Sequence, residues 1–136
     1  YNEGEKLGSW EYWHDKGRLI EYACIKTRFG EIILDFFEDQ APAHIKSFKD
    51  HVRSRYYDGT IFHRVVPDFV IQGGDPNTRL SNRKIYGKGG AAASFYGIGA
   101  RRDSSSWGLP AELNEIMHER GVVSMARGSN INSAGS

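Results

Sequence analysis

Apolar and polar positions fall into a few short, strand-like runs and one helical stripe. Ala23-Cys24-Ile25-Lys26-Thr27 and Glu31-Ile32-Ile33-Leu34-Asp35-Phe36-Phe37 are rich in β-branched and aromatic residues. Between them lies Arg28-Phe29-Gly30, whose glycine supplies the positive φ of a tight turn, so the two runs predict a β-hairpin. Ala41-Pro42 then opens a helix: proline suits its first turn, and Ile45, Phe48 and Val52 repeat at i, i+3 and i+7 as one buried stripe. Tyr56-Tyr57-Asp58-Gly59 is a turn. It leads to Phe62-His63-Arg64-Val65-Val66, a Pro67-Asp68 corner, and Phe69-Val70-Ile71-Gln72 as the antiparallel neighbour of the preceding strand. Val122-Val123-Ser124-Met125-Ala126 reads as a last short strand, followed by turn-forming residues to Ser136. Residues 1–20, with Trp10, Tyr12, Trp13, Leu19 and Ile20 scattered among charges, show weak periodicity and read as an N-terminal arm or linker, or a short surface helix. The domain proper is expected over residues 21–136.

Between Gly73 and about Pro110 periodicity fades and glycines cluster, which marks a long loop at about 79–107 that is either functional or partly disordered. Gly87-Lys88-Gly89-Gly90 lacks the spacing of a phosphate-binding loop and is expected to be flexible surface chain. Arg101-Arg102 near Trp107 has the ingredients of a single-strand stacking site, but two charges and one ring in a loop are commonly surface features. His44 and His51 stand seven apart on the helix rather than at the spacing of a helical zinc pair, and read as solvated surface residues; no metal or cofactor is expected.

Composition narrows the picture without naming a partner. The 136 residues suffice for one domain. Lys and Arg total 18 against 17 Asp and Glu, a net charge of +1, so no global field draws in nucleic acid or an anionic membrane. No run reaches the apolar length of a membrane span. The lone Cys24, in an apolar strand, reads as an inert core thiol and leaves the compartment open.

Arg64 is the residue that changes the chemistry. A long cation on an otherwise apolar strand, on the same face as Phe62, lines either a groove or a buried ion pair with Asp75 or Asp68. The first of these would make it part of a chemical site.

Several runs together resemble the cyclophilins, most closely the compact bacterial-style members. They are Ile25-Lys26-Thr27-Arg28-Phe29-Gly30-Glu31-Ile32, Ala41-Pro42, Tyr57-Asp58-Gly59, Phe62-His63-Arg64-Val65-Val66-Pro67, Phe69-Val70-Ile71-Gln72-Gly73-Gly74-Asp75-Pro76 and Ser124-Met125-Ala126-Arg127. The resemblance implies a mainly β fold, a closed antiparallel eight-stranded barrel with two capping helices, and peptidyl-prolyl cis/trans isomerase activity that assists protein folding. It implies catalytic roles for Arg64, as a donor to the prolyl nitrogen that binds more tightly once the resonance-held X-Pro bond twists and frees the nitrogen lone pair, for Phe69 as the floor of the proline pocket, and for Gln72. It also implies peptide-binding roles for His63, Val70 (where many relatives carry methionine), Ala126, Arg127 and Gly128.

Proline-containing peptides or unfolded proteins are then the expected clients, without nucleic acid. The sequence departs from the pattern in the unusual segment 79–107 and in Asp68, which stands where glycine is usual. The pattern also continues past Ser136 with residues that close the pocket and complete the barrel, so the domain is expected to be incomplete on that side, and Tyr1 suggests that chain precedes it. A second expectation stays open: a cyclophilin-like module that docks into a larger assembly through the N-terminal arm or the 79–107 loop, with little turnover. A non-cyclophilin barrel is disfavoured by the number of matched runs.

Overall fold

The computed structural model describes residues 7–13 and 19–136, with side chains from Tyr22 onward. Five strands and one α-helix are ordered β1 (Leu7–Trp13), β2 (Leu19–Thr27), β3 (Gly30–Leu34), α1 (Pro42–Arg53), β4 (Arg64–Val66) and β5 (Val70–Gln72). They form two antiparallel sheets, β1-β2-β3 and β4-β5. Among the described residues these sheets do not close into a barrel, and α1 is the only α-helix. No helix among them is long and apolar enough to cross a membrane.

The predicted hairpin is β2-β3, with Thr27 opposite Gly30 and Gly30 at φ 130°. The Thr27 hydroxyl locks the turn by accepting the Phe29 N–H at 3.1 Å and donating to the Gly30 carbonyl at 2.9 Å. Residues 7–13 are a strand rather than the short surface helix that is one reading of their weak periodicity. Pairing of Leu7 with Ile25 through Trp13 with Leu19 satisfies their backbone and carries β2 back to Leu19, four residues before the apolar run begins. Cys24 is fully buried, and burial pushes its thiol pKa up, which suits an inert core residue.

Helix α1 begins at Pro42 as expected, but its two histidines do not ride a solvated face. His51 is buried, stacks on Tyr56 at 3.9 Å between ring centroids, and its Nε2–H donates to the Ala91 carbonyl at 2.8 Å. His44 is half-buried and its Nε2–H donates to the Pro110 carbonyl at 2.9 Å. Between them, buried Ser47 accepts the Ala93 N–H at 2.9 Å. Thus 44, 47 and 51 form a polar stripe at helical spacing whose function is to satisfy the backbone of the later loop. The apolar stripe lies beside it: Val52 is buried, and Phe48 packs between Phe36 and Tyr57 at 5.9 and 5.3 Å.

Ala41 caps α1 without a side-chain acceptor. Instead Glu112, nearly seventy residues away, accepts the Ala43 and His44 N–H groups at 2.9 and 3.0 Å. A carboxylate there also complements the positive end of the helix dipole. The 76–110 segment is therefore fastened, not loose. It holds three single-turn 3-10 helices, at Pro76–Arg79, Arg83–Ile85 and Ser104–Ser106, and bridges of Ile98 with Gly108 and Leu109 with Ala134. Ala92, Leu109 and Ala134 make a second small core, with Tyr96, Trp107 and Met125 against it. Residues 122–126 are not a strand, because no neighbouring strand among the described residues pairs with them.

Candidate functional site

The β4-β5 hairpin sets the first wall. Arg64 pairs with Gln72, Val65 with Ile71 and Val66 with Val70. The two-residue period of a strand therefore places Arg64, Val66, Val70 and Gln72 on one face. The His63 N–H extends the ladder by donating to the Gln72 carbonyl at 3.0 Å. At the corner, Phe69 N–H donates to the Val66 carbonyl at 3.2 Å, and Asp68 sits at φ 58°. Proline followed by a positive φ is the requirement of a type II turn. Aspartate is among the few non-glycine residues that tolerate it, which accounts for Asp68 in a glycine position.

Asp75 builds the second wall. It is 4% exposed, and one carboxylate oxygen accepts the Asn77 N–H at 2.8 Å, capping the 3-10 helix that Pro76 opens. The other oxygen accepts the N–H of Gly87. That bond folds residues 83–87 back over β4. Gly89 allows it: a Cβ there would lie 2.5 Å from the Asp75 carboxylate and 2.3 Å from the Asn77 amide.

Between the walls is an open concavity of about 460 Å³ lined by His63, Arg64, Gln72, Arg83, Tyr86 and Gly87. Arg64 is exposed into solvent and makes no ion pair among the described residues. The alternative of a buried Arg64 ion pair is not what the structure shows: Arg64 is exposed, the two Asp75 oxygens accept the Asn77 and Gly87 amides, and Asp68 is exposed at the corner without a partner cation. Both ring nitrogens of His63 are buried without a hydrogen-bond partner.

Of the residues singled out in the sequence, His63, Arg64 and Gln72 come together in this concavity. Phe69 stands at the hairpin tip, 73% exposed, and Val70 is half-buried beside it; neither lines the concavity. Ala126, Arg127 and Gly128 lie in exposed chain, where Gly128 N–H donates to the Ser133 hydroxyl at 2.8 Å. Arg83, Tyr86 and Gly87 were not anticipated. Their sequence signal was local: Asp75-Pro76-Asn77 is a helix-start signature, and it implies that the following residues turn rather than trail.

The model of the family described as cyclophilin type peptidyl-prolyl cis-trans isomerase/CLD matches residues 22–136. The chain belongs to that family. It is 36% identical over 113 residues to the peptidyl-prolyl cis-trans isomerase ppi1 of Schizosaccharomyces pombe, covering 81% of this chain and 61% of the relative. It is 34% identical over 110 residues to a peptidyl-prolyl cis-trans isomerase of Acinetobacter baylyi, covering 81% and 48%. Over 65 residues it is 45% identical to the spliceosome-associated protein CWC27 homolog of Xenopus laevis, covering 47% and 14%. The chain thus spans less than two thirds of each of these relatives. No solved structure matches it significantly.

Proposed function

We propose that the protein is a peptidyl-prolyl cis/trans isomerase acting on X-Pro bonds in proteins, and so assisting their folding. The observation that carries this is an arginine with no acidic partner, held beside Gln72 on a hairpin face and open to a peptide-sized concavity. Arg64 is permanently charged and presents a planar fork of donors. It donates to the prolyl nitrogen as the bond twists, so the hydrogen bond is strongest at the transition state. Gln72, directly opposite in the ladder, orients the guanidinium or holds a substrate carbonyl. Phe69 offers an exposed apolar surface for the proline ring, with Val70 beside it, His63 lines the concavity at the other end of the hairpin, and Ala126, Arg127 and Gly128 present exposed backbone to an extended peptide. In this proposal β2 to β5 and α1 belong to a closed eight-stranded barrel with two capping helices. The exposure of Ile33, Val65 and Ile71, all strand residues, is what supports that placement.

The test is exchange spectroscopy by NMR on a short Ala-Pro peptide. Uncatalysed interconversion takes tens to hundreds of seconds; addition of the protein is expected to produce exchange peaks on a sub-second timescale. Peaks unchanged by saturating protein would refute the activity. A second reading, a cyclophilin-like module that binds within a larger assembly, is favoured by the likeness to the spliceosome-associated CWC27 homolog. It predicts peptide binding without such peaks.

A further inference from the structure

The near-neutral total conceals a sharp local asymmetry. Residues 76–102 contain six cations, Arg79, Arg83, Lys84, Lys88, Arg101 and Arg102, and no carboxylate. Part of that run folds over the hairpin, so that Arg83 enters the same concavity as Arg64. Arg83 is held there by backbone, not by charge. It opens a 3-10 helix capped by Asn82, whose side chain accepts the Lys84 N–H at 3.1 Å, and Tyr86 ends it by donating its hydroxyl to the Leu80 carbonyl at 2.7 Å. No carboxylate lines the concavity, neither guanidinium is ion-paired among the described residues, and the buried Asp75 carboxylate is occupied by the Asn77 and Gly87 amides. Arg64 and Arg83 both line this open, solvent-facing recess, and an anion that enters it can gain planar, two-pronged hydrogen bonds from a guanidinium.

From this arrangement we infer that Arg83 is a specificity-determining residue: it selects X-Pro segments that carry an anionic side chain, a carboxylate or a phosphate ester, next to the proline. The inference rests on the isomerase proposal, which assigns Arg64 to the imide and leaves Arg83 to the neighbouring side chain. A basic neighbour is disfavoured by the same field that attracts an acidic one.

The experiment uses the whole chain and peptides that differ only beside the proline: alanine, glutamate, phosphoserine or lysine, placed on either side of it. Dissociation constants come from NMR titration and kcat/KM from exchange spectroscopy. Glutamate is expected to exceed lysine by about fivefold in both quantities, the scale of one exposed ion pair gained set against one like-charge contact. Phosphoserine against glutamate then separates the two anion sources. The preference shrinks when salt rises from about 0.01 to 0.5 M. Arg83→Glu inverts it, and Arg83→Lys, which keeps the charge at an exposed position, retains most of it.

A wild-type ratio within about twofold of one, or a preference that survives Arg83→Glu, overturns the inference. Turnover of the alanine peptide without charge discrimination rejects this inference alone. Absence of both binding and turnover for every peptide rejects the isomerase proposal, and this inference with it.

Discussion

Replacement of Glu112 tests the most unexpected link in the fold, the carboxylate that caps α1 from far along the chain. Its oxygens accept two N–H groups in the first turn, at 2.9 and 3.0 Å, where Ala41 provides no side-chain cap. Loss of an N-cap costs about 0.5–2 kcal/mol, and loss of a favourable charge at the helix dipole about 0.3–1 kcal/mol. The half-buried position weakens water's ability to replace either contribution. Glu112→Ala is therefore expected to destabilise by about 2 kcal/mol and Glu112→Gln, which keeps one acceptor oxygen but no charge, by about 1 kcal/mol. For a domain of this size the alanine variant should melt roughly 6 °C lower. Urea denaturation followed by far-ultraviolet circular dichroism gives the free energies. If both variants fall within about 0.3 kcal/mol of the parent, the remote cap contributes nothing and the reasoning is wrong.

Two further outcomes follow from buried polar groups. Asp75→Asn leaves one of two backbone donors without an acceptor at a cost of about 1–3 kcal/mol, so the Gly87 amide should exchange with deuterium markedly faster while amides of β2 are unaffected. Burial holds the His51 pKa below its ordinary value of 6.5, against smaller opposing effects from the Ala91 carbonyl and Asp50. The unfolded chain then binds the proton more readily. His51 contributes stability at pH above the ordinary value that is lost as pH falls through it. Denaturation midpoints should drop between pH 7.5 and 5, and His51→Gln should flatten that dependence; an equally steep slope in the variant would exclude His51 as the cause.

Period-two and period-3.6 patterns were sufficient to locate β2-β3, α1 and β4-β5, because in each the apolar face is continuous and the turn residues match. Arg64 and Gln72 could be placed on one face for the same reason. Polarity alone points the histidines to solvent, whereas 44, 47 and 51 place polar atoms against loop carbonyls and amides distant in sequence. β1 escaped notice because its pairing with β2 is a backbone matter that its mixed side chains do not advertise. Arg83 joined the site through a contact between Asp75 and Gly87, twelve residues apart in a stretch with no periodicity. Composition summed over the chain hid the basic run between residues 76 and 102 for the equivalent reason: its excess is cancelled elsewhere.

Isomerisation kinetics of Arg64→Ala and Arg64→Lys beside the parent test the central claim most directly. A charge-assisted hydrogen bond of about 1.5–3 kcal/mol corresponds to roughly one to two decades of rate. Arg64→Ala should lower kcat/KM on an Ala-Pro peptide by that amount with the fold intact by circular dichroism. Arg64→Lys, which keeps the charge and loses the planar fork, should fall between the two. An Arg64→Ala rate within about twofold of the parent would contradict the assignment of the guanidinium to the rotating imide.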